Sequence, residues 1–139
     1  MGRIKYLLSL ILVLSLFSFR IQKEFITYIN SSITWVNSEH NFGKIKHNIP
    51  VKAEFEFKNP SMIPLIISSV EPQCGCTVAD YPKQPLKSGK TGKIIVTYDA
   101  KNLGYFQKSI IVRSNTDEAT TTLIIKGEVV EKIENSETK

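Results

Sequence analysis

Most of the chain reads as short stretches in which apolar and polar residues alternate, and its body nowhere repeats apolar residues at helical spacing. The clearest stretch is Val51 to Lys58, where Ala53, Phe55 and Phe57 alternate with Lys52, Glu54, Glu56 and Lys58. Successive side chains of a strand point to opposite faces, so this pattern predicts a half-buried strand, apolar inward and charged outward. Lys93 to Tyr98 puts Ile94, Val96 and Tyr98 on one face. Tyr105 to Arg113 does the same with Phe106, Ile110 and Val112, and Thr121 to Val130 with Leu123, Ile125 and Val129. Shorter runs complete the set: Ile33 to Val36, Asn41 to Ile45, Leu65 to Val70 and Thr77 to Tyr81. Trp35 is expected to cover the core, and Gly43 to mark a bulge in an early edge strand.

Gly, Pro, Asn and Asp punctuate these runs. Asn59-Pro60 breaks the first strong strand, Pro64 introduces the next and Pro72 ends it, because proline withholds a ladder donor. The loop Pro82 to Lys90 is expected to carry the chain from one sheet to the other. Asp99 to Gly104 and Ser114 to Glu118 are the remaining turns. About seven short strands with turn signals roughly every ten residues, and no helix among them, predict an all-β antiparallel two-sheet β-sandwich over residues 33–130. Residues 20–32 read as a linker and 131–139 as a polar tail. The Cys-Trp-Cys spacing of antibody domains is absent, so apolar packing must hold the sheets together. Phe55, Phe57, Tyr98 and Phe106 are the expected centre of that packing.

The N-terminus departs from the alternating pattern. Arg3 and Lys5 precede Leu7 to Phe19, an uncharged apolar run interrupted only by Ser9, Ser15 and Ser18. That layout predicts a helical signal peptide or signal-anchor over residues 1–19 and an exported body, in the periplasm or cell envelope. The small-x-small cleavage pattern is poor, with Leu16 and Ser18 its nearest approximation, so a secreted product and an inner-membrane anchor over residues 4–19 both stay open. A spanning helix needs about 20 apolar residues, and this run is short for that. No cysteine follows it, which leaves no acceptor for a lipid.

Charge narrows the partners. The net charge is +5, two of those charges (Arg3 and Lys5) belong to the leader, and the remaining +3 is spread among glutamates along the strands. That balance argues against nucleic acid and describes a solvated sandwich face. Asn30-Ser31-Ser32 fits the glycosylation acceptor pattern, which is too short to carry weight.

A recognisable signature stands at Glu71-Pro72-Gln73-Cys74-Gly75-Cys76-Thr77, flanked by Phe55-Glu56-Phe57-Lys58-Asn59 and Lys90-Thr91-Gly92-Lys93-Ile94. It continues through Val96-Thr97-Tyr98-Asp99, Gly104-Tyr105-Phe106-Gln107-Lys108, Arg113-Ser114-Asn115 and Ile125-Lys126-Gly127-Glu128-Val129. In these elements the chain resembles the bacterial family called domain of unknown function 1573. The resemblance implies an immunoglobulin-like fold similar to that of major sperm protein and of cilium- and centrosome-associated modules, usually in exported proteins. It implies no established activity. Modules of that kind act as adhesive or scaffolding units, an analogy of fold rather than of site.

Cys74, Gly75, Cys76 and Thr77 are the one chemically pointed feature. An even cysteine count in an exported chain suggests a disulfide, yet residues two apart on an extended strand sit roughly 6 to 7 Å apart, near the upper limit for a bridge. Gly75 is expected to supply the bend. The pair reads first as a structural element, either packed thiols or a local disulfide. It reads second as a soft-metal site, since two thiolates on one face suit Cu(I) or Zn(II), with His40, His47 and Met62 the only further candidate ligands. It reads third as a thiol–disulfide exchange centre, which requires an activating positive charge. No Ser/His/Asp spacing, zinc-protease motif or phosphate loop is present. The expectation is an uncharacterised exported module without enzyme activity or cofactor that binds a protein partner through sheet edges or end loops. It would touch a membrane only through an uncleaved N-terminus. The competing reading is a periplasmic metal or redox protein using Cys74 and Cys76.

Overall fold

The computed structural model describes residues 31–132, so the leader and most of the linker and tail lie outside the described residues. Eight strands form: β1 (Thr34–Trp35), β2 (Glu39–Lys46), β3 (Val51–Lys58), β4 (Ile67–Pro72), β5 (Thr77–Asp80), β6 (Thr91–Tyr98), β7 (Gly104–Ser114) and β8 (Thr120–Val130). They pair into two four-stranded sheets, ordered β1-β3-β6-β5 and β2-β8-β7-β4. The all-β, immunoglobulin-like sandwich is therefore the fold, with one parallel pairing, β2 on β8, among otherwise antiparallel ones.

Alternation along the strands builds the core. Ala53, Phe55 and Phe57 of β3 lie beside Val96, Ile94 and Gly92 of β6, and all but Gly92 are fully buried. From the opposite sheet Phe106, Ile110 and Val112 of β7 and Leu123, Ile125 and Val129 of β8 close over them. Fully burying one such side chain contributes roughly 1.5 to 3 kcal/mol, so this double layer dominates stability. Tyr98 stacks on Phe106 at 4.1 Å between centroids and joins the two sheets. Trp35 covers the core edge by packing on Phe57 at 5.2 Å.

The bulge in β2 falls where Gly43 predicts it. The register with β8 shifts between Asn41 and Lys44, and Gly43 takes φ +65°, a conformation that L side chains rarely adopt. The bulge carbonyl leans over Gly127, where a Cβ would come within 2.8 Å of it.

Two sequence expectations need correction. The loop of residues 82–90 does not change sheet, because β5 and β6 are neighbours in one sheet. The chain changes sheet instead at the β1–β2, β2–β3 and β3–β4 connections, the cysteine bend between β4 and β5, and the β6–β7 turn. The third run is also displaced, since β4 begins at Ile67 rather than Leu65. Leu65 is held elsewhere, bonded to Leu86 in both directions at 2.9 and 2.8 Å, and the Asn115 side chain takes over the neighbouring groups. Its Oδ1 accepts from Ile66 N at 2.8 Å and its Nδ2 donates to Pro64 O at 3.1 Å.

Candidate functional site: the cysteine bend and the edge beside it

β4 runs along β7 only as far as Ser109, where Gln73 N donates to Ser109 O at 3.1 Å. The chain then leaves this sheet, and Cys74-Gly75-Cys76-Thr77 forms a turn closed by Thr77 N donating to Cys74 O at 3.4 Å. Cys76 O accepts from Asp99 N at 3.1 Å, which seats the far end of the turn beside β6 before β5 begins opposite Tyr98. The turn shortens the Cys74–Cys76 Cα separation to 5.4 Å, below the extended spacing, and the two cysteines form a disulfide.

Burial differs along the motif. Cys74 and Cys76 are half-buried, Cys76 packs against the core, Gly75 is exposed and Thr77 is 5% exposed. Thr77 Oγ1 lies 3.5 Å from Cys74 Sγ and 3.8 Å from Cys76 Sγ. Gly75 does not play the expected part: its φ is not positive, and a Cβ there would meet nothing within 4 Å. The bend comes from the turn hydrogen bond and the bridge rather than from a conformation reserved for glycine. Glu71, the nearby acid in sequence, is occupied, with Oε1 3.6 Å from Arg113 Nε and accepting from Ser69 Oγ at 2.7 Å.

The other candidate ligands are not bonded to the sulfurs. His40 packs edge-on against Phe42 at 4.5 Å, and His47 shares a hydrogen bond with Lys101 O at 3.0 Å and lies 3.4 Å from Glu131. Met62 is 83% exposed in the β3–β4 connection. Among the described residues no group of three His, Cys, Asp or Glu side chains is placed to hold a metal ion.

The departure of β4 leaves something that sequence reading missed. In an antiparallel ladder the hydrogen-bonding direction alternates residue by residue. Ser109 faces β4 through its bond to Gln73, so Gln107 and Tyr105 face the same side. β8 agrees: Ile124 N donates to Ser38 O, which turns even-numbered β8 positions toward β2 and pairs Gly127 and Val129 with Phe106 and Gly104. The main-chain N–H and C=O of Tyr105 and Gln107 thus point into the strip that β4 has vacated, with no main-chain partner among the described residues. The signal that would have found this edge is a length mismatch, eleven residues in β7 against six in β4.

Among the described residues the outer sides of β5 and of β3 beyond β1 are also unpaired, and three other edges are blunted. β1 has two residues, and β2 carries the bulge and Lys44 and Lys46. On β4 the outward-facing position before Gln73 is Pro72, which has no N–H to offer. On the outer face beside the open β7 stretch lies a shallow cavity of about 490 Å³, walled by Asn41, Lys44, Tyr105, Gln107, Lys126 and Glu128. The Tyr105 side chain stands 87% exposed at its rim.

Fold and site together define an immunoglobulin-like sandwich module with a disulfide-closed crossover and a short open stretch at the edge of β7. The sequence matches the profile described as protein of unknown function (DUF1573) over residues 33–129, and the chain belongs to that family. Among solved structures it is similar to a protein of unknown function from Porphyromonas gingivalis W83, with TM-score 0.63 and 17% identity over 70% of this chain. The match spans 46% of that protein, so this chain corresponds to about half its length. It is similar also to PapD-like domain 7 of human CEP192, with TM-score 0.61 and 13% identity over 75% of this chain and 89% of that domain. A third likeness is to part of the secreted serine protease VesC of Vibrio cholerae, with TM-score 0.56 and 9% identity over 70% of this chain and 23% of the protease. At these identities the likeness is one of fold. No curated protein matches the sequence.

Proposed function

We propose that the chain is an exported, non-enzymatic interaction module that binds an extended segment of a partner protein along the open edge of β7. The observation that carries this reading is the pair of residues Tyr105 and Gln107, whose four main-chain polar groups face a strip without a strand. Unpaired edge groups recruit extended peptides by strand addition, where main-chain bonds give affinity and neighbouring pockets select alternate side chains. Here the same two residues wall the outer cavity, so an added strand would present its outward side chains beside Tyr105 and Gln107. Export rests on the basic and apolar leader, and a similar sandwich within a secreted protease is compatible with an accessory role outside the cytoplasm.

The test places a photo-crosslinking amino acid at Tyr105 of the full chain expressed in its own cell envelope. A discrete crosslinked partner is expected, lost when Gln107→Pro removes an outward N–H without touching the ladder to β8. Equal crosslinking by the Gln107→Pro protein would refute docking at this edge.

A further inference from the structure

The Cys74–Cys76 bridge offers chemistry that strand docking does not use. We infer that it is a redox-active disulfide that exchanges with the dithiol of a partner protein, and that the Thr77 hydroxyl steadies the departing sulfur.

Three observations converge. The bridge encloses a single residue, Gly75. The stabilisation expected from loop closure shrinks with the loop, and for one this short it is about half that of a fifteen-residue loop. Hydrogen bonds from Gln73 to Ser109, Asp99 to Cys76 and Thr77 to Cys74 hold the turn independently of the sulfurs. Opening the bridge therefore costs the fold little, which a bond that opens and closes requires.

Access is the second observation. Both cysteines are only partly buried, Gly75 is exposed, and apart from its chain neighbours no atom lies within 4 Å of the position a side chain would take there.

Thr77 is the third. Its side chain is almost wholly buried, and among the described residues its hydroxyl has only the two sulfurs within bonding reach, at 3.5 and 3.8 Å. A disulfide sulfur is a weak acceptor, whereas a thiolate is a strong one. The hydroxyl thus gains its bond only when a sulfur leaves, which stabilises the leaving thiolate and speeds exchange. Glu71 does not oppose this negative charge freely, because it faces Arg113.

A partner thiolate attacks one bridge sulfur, forming a mixed disulfide as the Cys74–Cys76 bond breaks, and the other sulfur departs as a thiolate and takes up a proton. The partner's second thiolate then attacks the mixed disulfide, forming the partner's own disulfide and releasing the remaining cysteine as a thiol. Two electrons and two protons pass from the dithiol to the bridge, and the reverse sequence returns them. Thr77 acts as a positioning residue throughout.

The experiment uses the full chain, purified oxidised, with dithiothreitol as the dithiol, followed by thiol alkylation and intact mass across about pH 6 to 9. The bridge should reduce completely, at a rate roughly tenfold or more above that of oxidised glutathione. Thr77→Val should slow the reduction by roughly tenfold and, in the reduced protein, move the pH profile of thiol alkylation upward, as expected for loss of a hydrogen bond to a thiolate. Thr77→Ser should restore both, and Thr77→Ala replaces the valine variant if valine disturbs the turn. A bridge that reacts no faster than oxidised glutathione, or a Thr77→Val protein with the original rate and profile, overturns the inference. Partner capture at Tyr105 is unaffected by either result, so the two readings fail separately.

Discussion

β4 is flanked by two irregular connections, and they are held in opposite ways. The bend before it turns on Asn59, which is completely buried and bonded on every side. Its Nδ2 donates to Ile63 O and Leu86 O at 2.8 and 2.9 Å, and its Oδ1 accepts from both Ser61 groups. Its main chain bonds Lys90 O and Gly89 N at 3.0 and 2.7 Å. The bend after β4 is half-exposed, closed by a covalent bond and a few main-chain hydrogen bonds, with nothing packed around its glycine. The first connection cannot be altered without stranding buried polar groups, whereas the second can be opened chemically at small cost. Structure depends on the one, and reactivity is confined to the other.

The sharpest way to break this comparison is Asn59→Ala. It removes four side-chain hydrogen bonds, each worth about 0.5 to 1.5 kcal/mol, and leaves the Ser61 amide without an acceptor, while Leu86 O keeps Leu65 N and Ile63 O keeps Ser61 Oγ. A loss of roughly 3 to 5 kcal/mol is expected in urea unfolding, comparable to deleting a central core ring as in Phe55→Ala. A loss below about 1 kcal/mol would show that the two bends are alike after all.

Replacing Cys74 and Cys76 together with serine comes next. The expected loss is about 1.5 kcal/mol or less, because so short a loop removes little entropy from the unfolded chain. Thermal unfolding of the double variant beside the Asn59→Ala protein tests the ranking directly, and a reversed order would make the disulfide a structural staple.

Tyr98 extends the comparison to pH. It sits opposite Thr77 in the β5–β6 ladder, on the cysteine side of the sandwich. Burial, with a smaller contribution from Asp99, pushes its phenol above the ordinary value near 10. Below that value both folded and unfolded chains keep the proton and stability is unaffected. As pH rises through about 10 the unfolded chain loses its proton first, so stability falls until the folded phenol also titrates. Alkaline unfolding should therefore begin near pH 10, and Tyr98→Phe should delay it. An identical alkaline limb in both proteins would remove Tyr98 from the cause.

The difference between the bends also explains what was legible in the sequence. Strands such as Val51 to Lys58 announce themselves because one face meets core and the other meets water, and the alternation records both. Inward positions such as Phe55, Ile94, Ile110 and Leu123 carry such a signal, whereas Gly92 does not. Asn59 reads locally only as a strand breaker, since its partners at Leu86, Gly89 and Lys90 are distant in sequence. The sheet change was misplaced to residues 82–90 for the same reason: prolines and a glycine mark a turn but carry no record of which sheet receives the chain. The open edge of β7 arises from the unequal lengths of two strands and has no residue signature of its own. Cys74 and Cys76 were visible as a motif, but Thr77 gains meaning only when the turn brings its hydroxyl to both sulfurs.

Gly75→Ala gives the smallest expected effect and the most specific check on the cysteine bend. A glycine between two cysteines invites the assumption that its backbone freedom makes the bridge possible. Its φ is ordinary and its Cβ position is empty, so alanine should change stability by no more than about 0.5 kcal/mol and leave the bridge intact by mass. Alanine also lowers the entropy of the unfolded chain, which favours a slight gain if the turn accepts it. A loss above about 1 kcal/mol would mean that the turn passes through a conformation only glycine can take. In that case the bend would be as tightly specified as the one at Asn59, and the contrast between a structural and a reactive connection would not hold.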